Sequence, residues 1–461
     1  MSSFPSDFIW GAATAAYQIE GATDVDGRGP SIWDTFSRIP GKVVNGDTGE
    51  TACDFYNLFP ADIRMMQELG VKHFRMSIAW SRLFPNGDSV RNPKGFDFYD
   101  RVIDALLSAG IEPNVTLYHW DLPQSLGDLG GWADRSVLEP FANYASAVGS
   151  HFGDRVKRFA PINEPWCVSW LGHGLGLHAP GETDFARAIA AAHHTVVGHN
   201  LATQALHDTV ANALVGPVLN QTMPDVDDIT DPFQMRAASV LDMNQNTFWM
   251  NAILRGEYPE LAYEIYGDNL RFVVREGDLE VQPIEWLGVN FYSNARIGHQ
   301  VNGPAEMKQS IISELIQASI ESKPIGPLTD MGWPITPQGI GDLLVRWTRE
   351  YGPKLPQLFI TENGAAFDDG PNDAGEVLDH RRVDYLRDHI ASVERAIERG
   401  ANIGGYYVWS LLDNFEWALG YEKRFGIVHV DYLTQVRTPK ASAKWFSQLI
   451  SNNAIPGKAG A

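Results

Sequence analysis

The stretch "KRFAPINEPW" (residues 157–166) has the length and apolar character of a buried strand, yet it closes on an amide and a carboxylate, Asn163 and Glu164, instead of a turn glycine. Seven further runs share its form: "FIWGAATAAYQ" (8–18), "KHFRMSIAW" (72–80), "IEPNVTLYHW" (111–120), "ALVGPVLN" (213–220), "WLGVNFY" (286–292), "LFITENG" (358–364) and "IGGYYVWSLLD" (403–413). Between them lie segments with apolar residues at three and four spacing, such as "FYDRVIDALLSAG" and "DYLRDHIASVERAIERG", several ending on glycine. Strict alternation of strand and helix implies a parallel sheet. Eight repeats, with no Gly-rich phosphate loop opening the first helix, favour a single closed (β/α)₈ TIM barrel of the α/β class over an open doubly wound sheet. The reading places the barrel over residues 1–452, with long βα-loop insertions at 221–285 and 293–335, and a flexible C-terminal tail over 453–461.

Composition narrows the partners. The chain has 461 residues, and 36 Lys and Arg face 57 Asp and Glu, a net charge of −21. The acidic residues are dispersed, so the surface is solvated and unsuited to nucleic acid or an anionic membrane. Only two cysteines occur, Cys53 and Cys167, without C-x-x-C spacing, which argues against a structural disulfide or zinc knuckle. The N-terminus lacks a basic segment followed by an apolar core, and no run of 18 apolar residues occurs. A soluble, cytoplasmic protein is expected, monomer or homo-oligomer being undetermined.

In a barrel of this kind the active site lies at the C-terminal ends of the strands, so the polar residues there are the candidates. Glu164 closes "APINEP" and Glu362 closes "LFITENG". Strands four and seven stand across the barrel mouth, the arrangement needed when one carboxyl donates a proton and the other attacks the opposite side of an anomeric carbon. A lone glutamate at a strand end is more often a helix cap or an ion-pair partner; the joint pattern is what lifts this pair. His119, His178, His193 and His194 show no H-x-H or H-E-x-x-H spacing, and "AAHHTVVGHN" reads as helix packing and solvent contact, so no metal is expected. Trp249, Trp347 and Trp445 fall on helical stretches and read as core. Trp120, Trp166, Trp409 and Trp417 belong to strand ends, where an indole can pack on the C–H face of a sugar.

At these residues the sequence resembles the β-glucosidases of glycoside hydrolase family one, retaining (β/α)₈-barrel enzymes. The resemblance runs through "FIWGAATAAYQIEGA", "FRMSIAWSRLFPNG", "TLYHWDLPQSL", "INEPW", "HAPG", "LGVNFY", "TENG" and "GYYVWSLLDNFEWALGYEKRFGIVHVDY", nearly the whole chain. It implies that Glu164 is the acid/base and Glu362 the nucleophile. Gln18, His119, Asn163, Tyr292, Glu416 and Trp417 resemble the groups that hold the glycone hydroxyls, with Trp409 as the platform beneath the ring. Arg75, Asn290 and Tyr292 resemble the partners that aim Glu362, and Trp166 and Trp333 the aromatic walls of the aglycone site. The implied activity is removal of terminal non-reducing β-D-glucosyl residues from cellobiose, short cello-oligosaccharides and aryl or alkyl β-glucosides, with β-galactoside and β-fucoside as side substrates. The expected role is in carbohydrate metabolism and cellulose degradation, without a cofactor.

Two features depart from the family's pattern. Pro161 stands where a threonine is usual, and a proline within a central strand marks a local bulge. Asn114 replaces a commonly aromatic strand residue. Two relatives are disfavoured: plant thioglucosidases carry glutamine in place of the acid/base, and phospho-β-glycosidases lack the carboxylate of "FEW". A non-catalytic sugar-binding barrel has no use for two facing acids, whereas a transglycosidase shares every residue named here.

Overall fold

The computed structural model describes residues 4–297 and 326–457. All eight expected strands form, in one parallel sheet: β1 (Ile9–Ala13), β2 (His73–Ser77), β3 (Glu112–Tyr118), β4 (Arg158–Ile162), β5 in two pieces (Leu214–Val215 and Val218–Asn220), β6 (Trp286–Asn290), β7 (Gln357–Asn363) and β8 (Ile403–Trp409). Each pairs with its sequence neighbours, and β1 pairs with β8, from Ile9 opposite Gly405 to Ala13 opposite Trp409. The first piece of β5 pairs with β4 and the second with β6, so the ring closes as a barrel. The longer outer helices that follow the successive strands are α1 (Phe55–Glu68), α2 (Pro93–Ser108), α3 (Leu138–Phe152), α4 (Phe185–Thr209), α5 (Glu260–Val273), α6 (Pro337–Tyr351), α7 (His380–Glu398) and α8 (Ala441–Asn452).

The interior of the ring is filled, not hollow. Ala13, Ala160, Val218, Trp286, Phe359 and Tyr407 form one apolar cluster that reaches up to Trp409 and Phe425. Arg158 lies over the ring of Phe359 at 4.6 Å. Asn114, 1% exposed, lies in register between Arg75 and Arg158. Its replacement of an aromatic therefore places an amide among two guanidinium groups in the barrel interior.

Two irregularities in the ladders aim the rim. The bulge expected at Pro161 occurs on one side of β4 only: β3 and β4 keep register from Asn114 opposite Arg158 to Tyr118 opposite Ile162. Towards β5, Phe159 faces Val215 and Asn163 faces Val218, so β4 spends one residue more than its partner. Pro161 and Pro217 both lack the N–H that a regular ladder would use there. On β7, Ile360 faces Val289 while Glu362 faces Asn290, a bulge that turns Glu362 toward the mouth.

Three expectations are corrected. Helix α4 buries His193, His194 and His199, so the packing expected of them holds and the solvent contact does not. His193 bonds Tyr258 and Asp278, and His194 the carbonyl of Trp132, so these rings pin the helix rather than meet solvent. Trp249 and Trp347 are core as expected, but Trp445 is only half-buried. The tail does not loosen at 453: Asn453 accepts the Trp10 indole N–H at 2.9 Å and donates to the carbonyls of Phe4 and Pro5, and Ile455 is buried. These bonds tie the chain's end to its beginning; residues 458–461 lie outside the described residues. The insertion at 221–285 is largely helical, and its short strand Pro224–Val226 pairs with Ala295–Ile297. Most of "GPAEMKQSIISELIQASIESKPIGP" also lies outside the described residues.

A buried ionic network supports the segment that follows β8. Lys440, fully buried, donates to Asp369 at 2.5 Å and to Asp413 at 2.8 Å, and Asp413 also accepts from Arg424 and the Gly426 amide. Asp413 directly precedes Asn414, Phe415 and Glu416. Removing one partner of such a pair leaves a charge without compensation, so Lys440→Met is expected to lower stability by about 3 kcal/mol or more. Urea unfolding at pH 7 checks this; an unchanged midpoint would mean that the arginines alone hold the network.

Candidate active site

Strand β4 delivers Asn163 and Glu164 to the rim by backbone bonds: the Asn163 amide donates to Tyr118 O and the Glu164 amide to Val218 O, both at 2.9 Å. Pro165 then opens a helix at once, its fixed φ and missing N–H being suited to a first helical position. Glu164 itself has φ +48°, a left-handed backbone rare for a glutamate and costly unless its surroundings enforce it. The question raised by "INEPW" is thereby answered locally: the strand ends on polar residues because they stand at the mouth.

The two carboxylates are joined by a chain of hydrogen bonds whose polarity can be worked out. Arg75 donates from one nitrogen to Glu362 Oε1 at 2.5 Å and from the other to Asn163 Oδ1 at 2.6 Å. A guanidinium only donates, so the Asn163 carbonyl must face it. Asn290 also approaches Asn163 Oδ1, at 3.1 Å, and therefore does so with its Nδ2, which also reaches Glu164 Oε1 at 2.7 Å. The Asn290 carbonyl accepts the Thr361 hydroxyl at 2.6 Å. That leaves Asn163 Nδ2 to donate to His119 Nε2 at 3.1 Å, which puts the His119 proton on Nδ1. Tyr292 donates its hydroxyl to Glu362 Oε2 at 2.7 Å.

The electrostatics of the two acids differ. Glu362 is ion-paired to Arg75. Glu164 has no cation in contact among the described residues; burial first, then the charge of Glu362, push its carboxyl up to about 8. Burial, together with Glu362 and Glu164, pushes Glu416 up to about 8 as well. Burial and the nearby Arg75 hold His119 well below the usual range, so it is neutral. Among the described residues no group of three or more His, Cys, Asp or Glu side chains forms a metal-binding cluster.

These groups border a cavity of about 530 Å³. Glu164, Glu362, His119, Asn290, Tyr292, Trp409, Glu416, Trp417, Trp166 and Trp333 line it. Gln18, Asn163 and Arg75 are fully buried behind that lining. Gln18 sits on the helical turn after β1 and donates to Asn414 Oδ1, Phe415 O and Glu416 Oε2 at 3.0, 2.9 and 3.4 Å. Its carbonyl oxygen has no protein partner among the described residues. Trp409 and Trp417 each stack near His119, at 5.9 and 6.0 Å, and Trp417 has φ +52°. Trp333, Tyr292 and Phe425 form a three-ring wall with centroid spacings of 5.4, 6.0 and 6.2 Å. Trp166 is held across the cavity by a bond to Asn244 at 2.5 Å.

The cavity thus brings together every residue to which the resemblance gives a site role, most as lining and three as backing. The sequence reading missed Phe425, which lies in the loop beyond "FEW", and Cys167, whose thiol donates to Glu164 Oε2 at 3.1 Å. Cys167 was within reach of sequence reasoning, since three residues after a glutamate on a helical turn is the same face. Phe425 had no such signal.

The comparisons with known proteins agree with this geometry. Residues 1–455 match Glycosyl hydrolase family 1. The chain belongs to that family. This family 1 glycoside hydrolase is 43% identical over 456 residues to a β-glucosidase A of Thermotoga maritima, covering 99% of each chain. It is 41% identical to a bifunctional β-D-glucosidase/β-D-fucosidase of Bifidobacterium breve, covering 98% of this chain and 99% of the other. Among solved structures, the Thermotoga maritima β-glucosidase in complex with deoxynojirimycin superposes with TM-score 0.91 at 43% identity, over 98% of this chain and all of that one.

Proposed function

We propose that this glycoside hydrolase is a retaining β-glucosidase acting on cellobiose, short cello-oligosaccharides and aryl or alkyl β-glucosides. The observation that carries the reading is the unequal environment of two glutamates on one cavity: Glu362 ion-paired with Arg75, Glu164 with its proton affinity raised. In the first half-reaction Glu362 attacks the anomeric carbon while Glu164 gives its proton to the departing oxygen. Attachment of the glycosyl group neutralises Glu362, which removes the charge that helped keep Glu164 protonated. Glu164 then takes a proton from the water that releases the sugar. A carboxyl separation of about 5 Å is the spacing such a mechanism requires.

The glycone roles follow the same logic. Asn163 has one amide hydrogen on His119, which leaves its other for the sugar's 2-hydroxyl. Gln18 has a carbonyl oxygen without a protein partner among the described residues and Glu416 a carboxyl group, which suit the hydroxyls at the far end of the ring. Trp409 supplies the apolar platform, and Trp166 and Trp333 the aglycone walls. Glu416→Ala is expected to lower kcat/KM on p-nitrophenyl β-D-glucoside roughly 10- to 100-fold, the worth of one or two buried hydrogen bonds to the sugar lost together with an acceptor or donor left unpaired. A change below twofold would remove Glu416 from the site. The fucosidase activity named for the Bifidobacterium relative supports a β-fucoside side activity here, since Gln18 and Glu416 can pair with an axial as well as an equatorial 4-hydroxyl and the 2- and 3-hydroxyls of a fucoside are placed as in a glucoside.

Cys53 and Cys167 are both buried and unpaired, which supports a reducing, cytoplasmic location. No helix among the described residues is long and apolar enough to cross a membrane. A role in cellulose degradation would follow from cellobiose as substrate. The deciding test is early-time proton NMR of cellobiose or aryl-glucoside hydrolysis: β-glucose must appear first, and α-glucose as first product would overturn the retaining mechanism.

A further inference from the structure

The Glu164 carboxyl has two oxygens in different surroundings, and the hydrogen-bond polarity derived above decides which one carries the proton. Oε1 faces Asn290 Nδ2, a donor whose orientation is locked by Asn163 Oδ1 and, through it, by Arg75. An oxygen already accepting an N–H there cannot also present its own hydrogen to it, so Oε1 stays an acceptor. The transferable proton belongs on Oε2. The protein atom bonded to Oε2 is the Cys167 Sγ, at 3.1 Å, on the first turn of the helix that Pro165 opens. Both residues line the same cavity. The thiol is buried and, next to Glu164, is pushed well above its ordinary range, so it keeps its own hydrogen.

We propose that Oε2 is the proton-transferring oxygen of Glu164 and that Cys167 is its positioning residue, donating an S–H bond to the carboxylate form and releasing it when Oε2 is protonated. The inference rests on the acid/base reading of Glu164. In the first half-reaction the Oε2 proton passes to the leaving oxygen as its bond to carbon breaks, and the thiol swings its hydrogen onto the new carboxylate. In the second, a water proton passes to Oε2 as water oxygen bonds to the anomeric carbon, and the thiol withdraws. No net proton is gained or lost. A weak S–H donor suits both states, because it stabilises the carboxylate without trapping it.

The other groups near Glu164 are Glu362 on β7, Arg75 on β2, Tyr292 after β6 and Glu416 after β8. His119 and His178 line the same cavity, and His173 and His178 a small one behind Cys167. Replacing Cys167 leaves all of these in place. The test is the basic limb of kcat/KM for Cys167→Val, which keeps an apolar side chain of similar size, and for Cys167→Ser, which keeps a donor. Losing a donor to the charged form raises the acid's pKa, so Cys167→Val should move the limb up by about 0.5 pH unit or more, and Cys167→Ser should bring it back toward wild type. Should the valine variant fail to fold, the serine and alanine variants supply the same comparison. Limbs that coincide in all variants would overturn the role of Cys167. Glu164→Gln, run in parallel, separates the failures: if it abolishes the limb while the Cys167 variants do not move it, only the present inference fails, and if it leaves the limb intact, the acid/base reading fails first.

Discussion

Glu362→Gly is expected to lose turnover of p-nitrophenyl β-D-glucoside by about 10⁴-fold or more, because the covalent half-reaction has no other nucleophile to pass through. Added azide is expected to restore turnover and to give the α-glucosyl azide. The physical reason lies in what the substitution leaves behind. Arg75 and Tyr292 hold both oxygens of Glu362 and lose their anionic partner in the variant. The vacated space therefore keeps a cationic and a donor group, which favour a small anion. Azide bound there attacks from the face that Glu362 used, opposite the leaving group, and one inversion of a β-glycoside yields an α-product. A β-azide, or an inert variant that azide does not rescue, would remove Glu362 from the nucleophile's role.

Glu164→Gln is expected to show the complementary signature. Cellobiose, whose leaving alcohol needs a proton, should be hydrolysed about 10²- to 10⁴-fold more slowly. The step that expels p-nitrophenolate, a stable anion, should be far less affected, so a burst of nitrophenol precedes slow release of the sugar. The pH profile gives the second readout. Glu164, pushed up to about 8 by burial and by Glu362, is the species that must be protonated, so wild-type kcat/KM should be level below that pH and fall as pH rises through it. The glutamine variant, having no proton to lose, should lack that fall. Glu416 is raised to a similar value, so a limb that survives in Glu164→Gln and vanishes in Glu416→Gln would transfer the titration to Glu416.

Much of this protein was legible in one dimension. Eight apolar runs alternating with helical periods determine a barrel, because a strand that must hide both faces and a helix that must hide one have few ways to pack. The rim residues were legible for the same reason: "NEP", "TENG" and "FEW" break apolar runs with charge at strand ends, where burial would be costly without a purpose. The chain's histidine pair was read as helix packing and solvent contact, and only the packing holds, because helical spacing tells which residues share a face while the fold tells whether that face meets solvent. His193 found Asp278 and Tyr258, far along the chain.

What the sequence alone could not decide is everything that depends on atoms of different strands meeting. The left-handed turn at Glu164, the β7 bulge that aims Glu362, and the closing of Phe425 against Tyr292 and Trp333 arise from long-range contacts. So does the unequal character of the two glutamates. Both are Glu in apolar runs, and nothing local distinguishes them. Arg75 reaches one and not the other, while burial and a neighbouring negative charge act on the second, and those are properties of the assembled barrel, where distance and desolvation set proton affinity.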